Sequence, residues 1–91
     1  FNGKIINITS SGVIVETNNI IGHVNFSDIK GDFYVFDPEL FILTGKRNKK
    51  TLKIGDYIRL KVLNASKEFR TIDFEISEKL EKQKVLKKRW N

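Results

Sequence analysis

Between Gly31 and Asp56 the chain reads GDFYVFDPELFILTGKRNKKTLKIGD. Aromatic rings at Phe33, Tyr34, Phe36 and Phe41 precede a run of cations at Lys46, Arg47, Lys49 and Lys50. Ring faces stack on planar groups, and lysine or arginine holds phosphate, so this combination is the chemistry of gripping a polyanion. Each residue also has a plainer reading. Phe33 and Tyr34 can pack against a core or lie over it as a lid, and the cations can form a solvated hairpin tip. Sequence alone leaves both readings open.

Other residue types point away from catalysis. Asp28, Asp32 and Asp37 are the closest approach to a metal-binding acidic cluster, but they sit in turn-rich sequence with no matching carboxylates elsewhere. Capping of turns is the expected role. His23 is the sole histidine and has no ligand partner in sequence, so it is expected at a surface or strand edge. The chain has no cysteine, which excludes disulfides and cysteine-based metal sites and fits a cytoplasmic protein. No cofactor is expected for this domain.

These residues need a scaffold, and 91 residues with 40% apolar content support one modest core. The absence of methionine and the start at Phe1 are expected of a piece of a longer protein. No apolar run has the length of a membrane span, so no membrane partner is expected. Net charge is +6. Residues 77–91 hold six Lys or Arg against two Glu, and residues 1–76 hold eleven against nine acids. The barrel expected below is therefore only mildly basic, and its binding face has to be argued from position.

Ile-rich Gly3–Thr9, then Val13–Thr17 and Ile20–Phe26, predict three strands. Asn18-Asn19 is a tight turn between the last two, and Gly22 marks a bulge or close backbone approach. Ser27–Ile29 predicts a short helical turn. Asp37 is a helix N-cap with Pro38 at the first helical position, and Phe36 and Phe41 fall at staple positions, predicting one or two helical turns over Asp37–Leu43. Leu43-Thr44-Gly45 and Thr51-Leu52-Lys53 pair as a small hairpin across the basic turn. In Tyr57–Leu63, Ile58, Leu60 and Val62 alternate with Arg59 and Lys61 as a half-buried strand. Asn64–Glu68 is a turn, and Phe69–Ile76 is a last strand with Ile72, Phe74 and Ile76 inward. Ser77 caps a partly helical basic tail through Glu81–Lys88. The fold class is all-β: a five-stranded OB-fold barrel over 1–76, with short helical turns after the third strand and a lysine-rich C-terminal tail over 77–91.

The opening pattern at Phe1, Gly3, Ile5, Ile8, Thr9, Gly12 and Val15 resembles the S1 RNA-binding domain. So does the pattern at Ile20, Gly22, Val24 and Ser27. The elements DFYVFD at Asp32–Asp37, Leu43, Gly45 and Arg47, IGD at Ile54–Asp56, and RTIDFE at Arg70–Glu75 resemble the S1 domain at the C-terminal end of ribonuclease R. The resemblance implies a parent 3′→5′ exoribonuclease whose Mg²⁺ ions sit in a separate catalytic domain, with this piece non-catalytic. It implies single-stranded RNA as partner and a monomer.

S1 domains place two aromatics and a histidine where this chain has Ser11, Ile14 and Asn25, and an acid where it has Ser66. Arg70 keeps the family's residue type. Base stacking is worth about 1–3 kcal/mol per base, so the missing rings weaken the usual platform. Asn25 still offers hydrogen bonds to a base or a 2′-OH. Phe33, Tyr34, Lys46, Arg47 and Arg70 are the candidate compensators. The competing reading is a docking module, in which the tail, with Leu86 and Trp90 among its lysines, meets a protein or the ribosome.

Overall fold

The computed structural model describes residues 1–66 and 71–80. Its strands are β1 (Asn2–Thr9), β2 (Gly12–Thr17), β3 (Ile20–Val24), β4 (Tyr34–Asp37), β5 (Ile42–Gly45), β6 (Thr51–Lys53), β7 (Tyr57–Ser66) and β8 (Thr71–Lys79), with a 3₁₀ turn at Phe26–Asp28. Five of them close a barrel in the order β1-β2-β3-β8-β7. The other three form a separate sheet, β4-β5-β6, inserted between the third and fourth barrel strands. This is the expected OB-fold barrel, closed so that no long edge is left open.

Alternation builds the barrel wall. Val13, Val15 and Thr17 of β2 are buried while Ile14 and Glu16 between them are half-exposed. In β1 the register slips between Ile5 and Asn7, so Ile6 bulges out and Ile5 and Ile8 both reach the core. Asn18 and Asn19, at φ 49° and 67°, form the tight β2–β3 turn. Gly22 is a close approach, because a Cβ there would strike the Phe74 ring. Leu43 and Leu52 of the small sheet belong to the same apolar cluster as Ile5, Ile8, Ile58, Leu60, Phe74 and Ile76. The insertion is therefore part of one core.

Three expectations fail here. No helix forms over Asp37–Leu43: β4 ends at Asp37, a turn follows, and β5 begins at Ile42. The cap chemistry is present, since Asp37 Oδ1 accepts from the Glu39 and Leu40 amides at 2.9 and 3.2 Å. The Phe41 amide also donates to the Asp37 carbonyl at 2.8 Å, which completes a single turn. Phe41 then adopts φ 55°, a left-handed value that stops propagation, and the chain returns as a strand paired with β4. The Phe36–Phe41 contact survives as an edge-on pair with centroids 5.8 Å apart. Second, β7 runs on through Asn64 to Ser66, and Val62 is 41% exposed although it pairs with the buried Phe74. Val62 keeps the phase of Leu60 and lines a shallow apolar pocket with Phe1, Ile72 and Phe74; the register slips only beyond it, between Val62 and Asn64. Third, Ser77 lies within β8 and caps no helix. The rest of the tail, from Glu81 onward, and Arg70 lie outside the described residues.

Candidate nucleic-acid interface

Two groups of candidate residues occupy two places. The first is the outer face of β2 and β3. Ile14 pairs across the strands with His23, and Glu16 with Ile21. Ser11 is exposed in the β1–β2 turn, its amide donating to Thr9 Oγ1 at 3.2 Å. Asn25 is exposed just beyond β3, and its Nδ2 donates to Asp28 Oδ2 at 3.4 Å. Because Val13 pairs with Val24, Ser11 and Asn25 lie toward the same end of this hairpin. The neighbouring strand adds carboxylates. Asp73 bridges to His23 along β3–β8, and Glu75 meets Lys30 at 3.9 Å. The face beside the family's usual contact positions thus carries Glu16, Asp73 and Glu75.

The second group surrounds the β5–β6 turn. Phe33 is 74% exposed, and Lys46, Arg47, Lys49 and Lys50 are all exposed. The turn is tightly built. Asp32 Oδ2 accepts from the Arg47 and Asn48 amides, both at 2.8 Å, and Asp32 Oδ1 accepts from the Phe33 amide at 2.7 Å. The Lys46 amide donates to the Phe33 carbonyl at 2.9 Å, and Asn48 Oδ1 accepts from the Lys50 amide at 2.8 Å. The amide bonds, that from Asn48 first, outweigh partial desolvation and hold the Asp32 carboxyl below its ordinary value. Gly45 admits this arrangement, since a Cβ there would meet Asp32 Oδ2 at 2.6 Å.

Tyr34 departs from its neighbour. Successive strand residues point to opposite sides, so Phe33 faces solvent and Tyr34 packs against the core. Tyr34 also lines a cleft of about 190 Å³ between the small sheet and the end of β8. Asn48 and Lys50 reach this cleft from the basic turn, and Lys30 and Lys79 reach it from the barrel side. The sequence reading singled out Tyr34 and named Lys50 among the turn's cations, but Lys30 carried no signal, because its neighbourhood depends on where β8 ends. Among the described residues no three His, Asp or Glu side chains converge as metal ligands.

The S1 RNA-binding domain family model matches residues 1–77. The chain belongs to the S1 RNA-binding domain family. This S1 domain is 40% identical over 77 residues to ribonuclease R of Ureaplasma parvum, covering 84% of the chain and 11% of that relative. It is 33% identical over 88 residues to ribonuclease R of Aquifex aeolicus, covering 94% of the chain and 12% of that relative. Among solved structures, Mycoplasma genitalium RNase R in complex with ribose-methylated single-stranded RNA superposes with a TM-score of 0.76 at 28% identity. That match covers 85% of this chain and 12% of the other. The S1 domain thus spans about a tenth of the length of the relatives it matches.

Proposed function

We propose that this S1 domain is the single-stranded RNA grip of a ribonuclease R-type 3′→5′ exoribonuclease. The observation that carries the reading is the match over residues 1–77 joined to similarity with ribonucleases R, one of them solved with single-stranded RNA bound. The barrel and its inserted sheet bind RNA, and hydrolysis belongs to a Mg²⁺-dependent catalytic domain of the parent. Ser11, Ile14, Asn25 and Arg70 are the contacts proposed on the barrel, with Phe33, Tyr34, Lys46 and Arg47 on the insertion. Stacking and phosphate contacts read few base edges, so sequence preference is weak. The domain acts as a monomer in the cytoplasm, and the lysine-rich sequence after β8, which runs to Lys79, is its basic tail.

Fluorescence anisotropy of a labelled oligoribonucleotide at about 50 and about 200 mM salt tests this. Single strands are expected to bind more tightly than duplex, with affinity falling steeply at the higher salt. Absence of binding at the lower salt would overturn the reading for this domain.

A second reading follows from Ser11 and Ile14, which provide no ring, and from the carboxylates of Glu16, Asp73 and Glu75 beside them. In that reading the domain docks a protein or the ribosome through its basic tail. Amide shifts on adding RNA that are confined to residues 77–91 would favour it over the first.

A further inference from the structure

We propose that the cleft between the small sheet and the end of β8 is a nucleotide-binding site for single-stranded RNA. In it the Tyr34 ring meets one base, and Lys30 and Lys50 hold the adjoining phosphates. This rests on the RNA-binding reading above and changes where the strand lies.

Three observations carry it. The first is size and chemistry. At about 190 Å³ the cleft is below the ~300–1,000 Å³ of a small-molecule site, so it fits one base and part of its backbone better than a whole cofactor. Its wall joins the Tyr34 ring to Lys30, Lys50 and Lys79 and also holds Glu78, whose charge is paired with Arg59 at 3.1 Å, so the lysines set its balance toward a planar, anionic ligand.

The second is continuity. Asn48 and Lys50 belong both to the cleft wall and to the basic turn. Bonds to Asp32 fix the turn's shape before any ligand arrives, so little ordering cost remains at binding. From Lys46 to Lys53 the chain carries five cations and no acid. A strand tracking these cations reaches the cleft wall at Asn48 and Lys50.

The third is contrast. The outer face of β2, β3 and β8 presents Glu16 and Asp73, with Glu75 paired to Lys30 at 3.9 Å, and carries Ser11 and Ile14 where the family places rings. Phosphates are repelled there and attracted at the insertion. Not every lysine at the cleft is free to respond. Lys79 Nζ already donates to the Thr51 carbonyl at 2.9 Å and pairs with Asp56 at 3.4 Å, so it serves as wall. Among the described residues, Lys30 Nζ has a long ion-pair contact with Glu75 at 3.9 Å to give up.

The test uses the 91-residue chain and a labelled oligouridylate. Tyr34→Leu keeps apolar bulk and removes the ring face, and it is expected to weaken binding about tenfold, while Tyr34→Phe binds like the wild type. Lys50→Ala and Lys30→Ala, both exposed and safe for folding, are each expected to reduce the steepness of log K against log salt by about 0.7. Leu40→Ala, at an exposed position of the β4–β5 connection that does not line the cleft, is expected to change little. If the wild type binds and the cleft variants match it in affinity and salt slope, the cleft proposal is overturned and RNA binding stands. That outcome would place the grip on the barrel face or the tail. If the wild type itself fails to bind at low salt, the broader reading falls with it.

Discussion

Asp32 shows how one side chain can do structural work for a charged surface without touching a ligand. Its carboxylate accepts amides from Phe33, Arg47 and Asn48, and thereby bends a segment of like charges into one fixed turn. Those bonds lower its pKa in the folded protein below the ordinary 3.8. A depressed folded value means that the bonds favour the folded turn above the unfolded value, and the gain is lost as pH falls through the lower one. In an NMR titration the Asn48 and Arg47 amides are therefore expected to hold their shifts below pH 3.8 and to move only when Asp32 protonates. Midpoints at or above 3.8 would show that the carboxylate does not hold the turn. Asp32→Ala removes the acceptor altogether. It is expected to broaden or shift the amides of 46–50 and to weaken RNA binding, with the β1–β2 amides unmoved.

At the scale of elements, the instructive segment is Asp37–Ile42. The Asp37 cap, Pro38 and the Phe36–Phe41 contact are all present, yet the segment makes a β4–β5 connection. Asp37→Ala is expected to cost about 1 kcal/mol in urea denaturation, the usual loss for a capping acceptor. An unchanged midpoint would mean that the capping bonds contribute nothing to stability. Local cap chemistry was legible in the sequence; what decided between helix and hairpin was pairing of Val35, Phe36 and Asp37 with Thr44, Leu43 and Ile42, which is a tertiary matter. The same split runs through the barrel. Strand alternation was readable for Ile58, Leu60, Phe74 and Ile76, all of which are buried. Val62 keeps that alternation, pairing with Phe74, but stays exposed at a shallow apolar pocket, a placement that residue types do not announce. For the candidate interface, the period of two could assign Tyr34 and Phe33 to opposite sides but not say which side was core. That needed the Phe26–Phe36 stack at 6.0 Å, which seats Phe36, and with it Tyr34, toward the barrel.

For the whole molecule, the question is whether the inserted sheet moves with the barrel or as a separate flap, because the cleft exists only where the two meet. Leu43 and Leu52 share the barrel's core, and the link is completed by a nearly buried carboxylate. Asp56 begins the connection into β7. Its Oδ2 accepts from the Lys53 amide at 3.0 Å and lies 3.4 Å from Lys79 Nζ, and its Oδ1 lies 3.7 Å from Lys53 Nζ. Lys79 in turn bonds the Thr51 carbonyl, so the end of β8, the strand β6 and the β6–β7 turn are tied at one point. Asp56→Ala removes a charged acceptor and is expected to destabilise the protein by about 1–3 kcal/mol. One core predicts one transition. The urea midpoint should fall equally when followed at Tyr34, in the insertion, and at Phe74, in the barrel, by NMR peak intensity. Separate midpoints, with the insertion melting first, would make the small sheet an independent flap. A cleft formed by such a flap would bind RNA by closing on it, and the preformed turn would no longer explain the affinity.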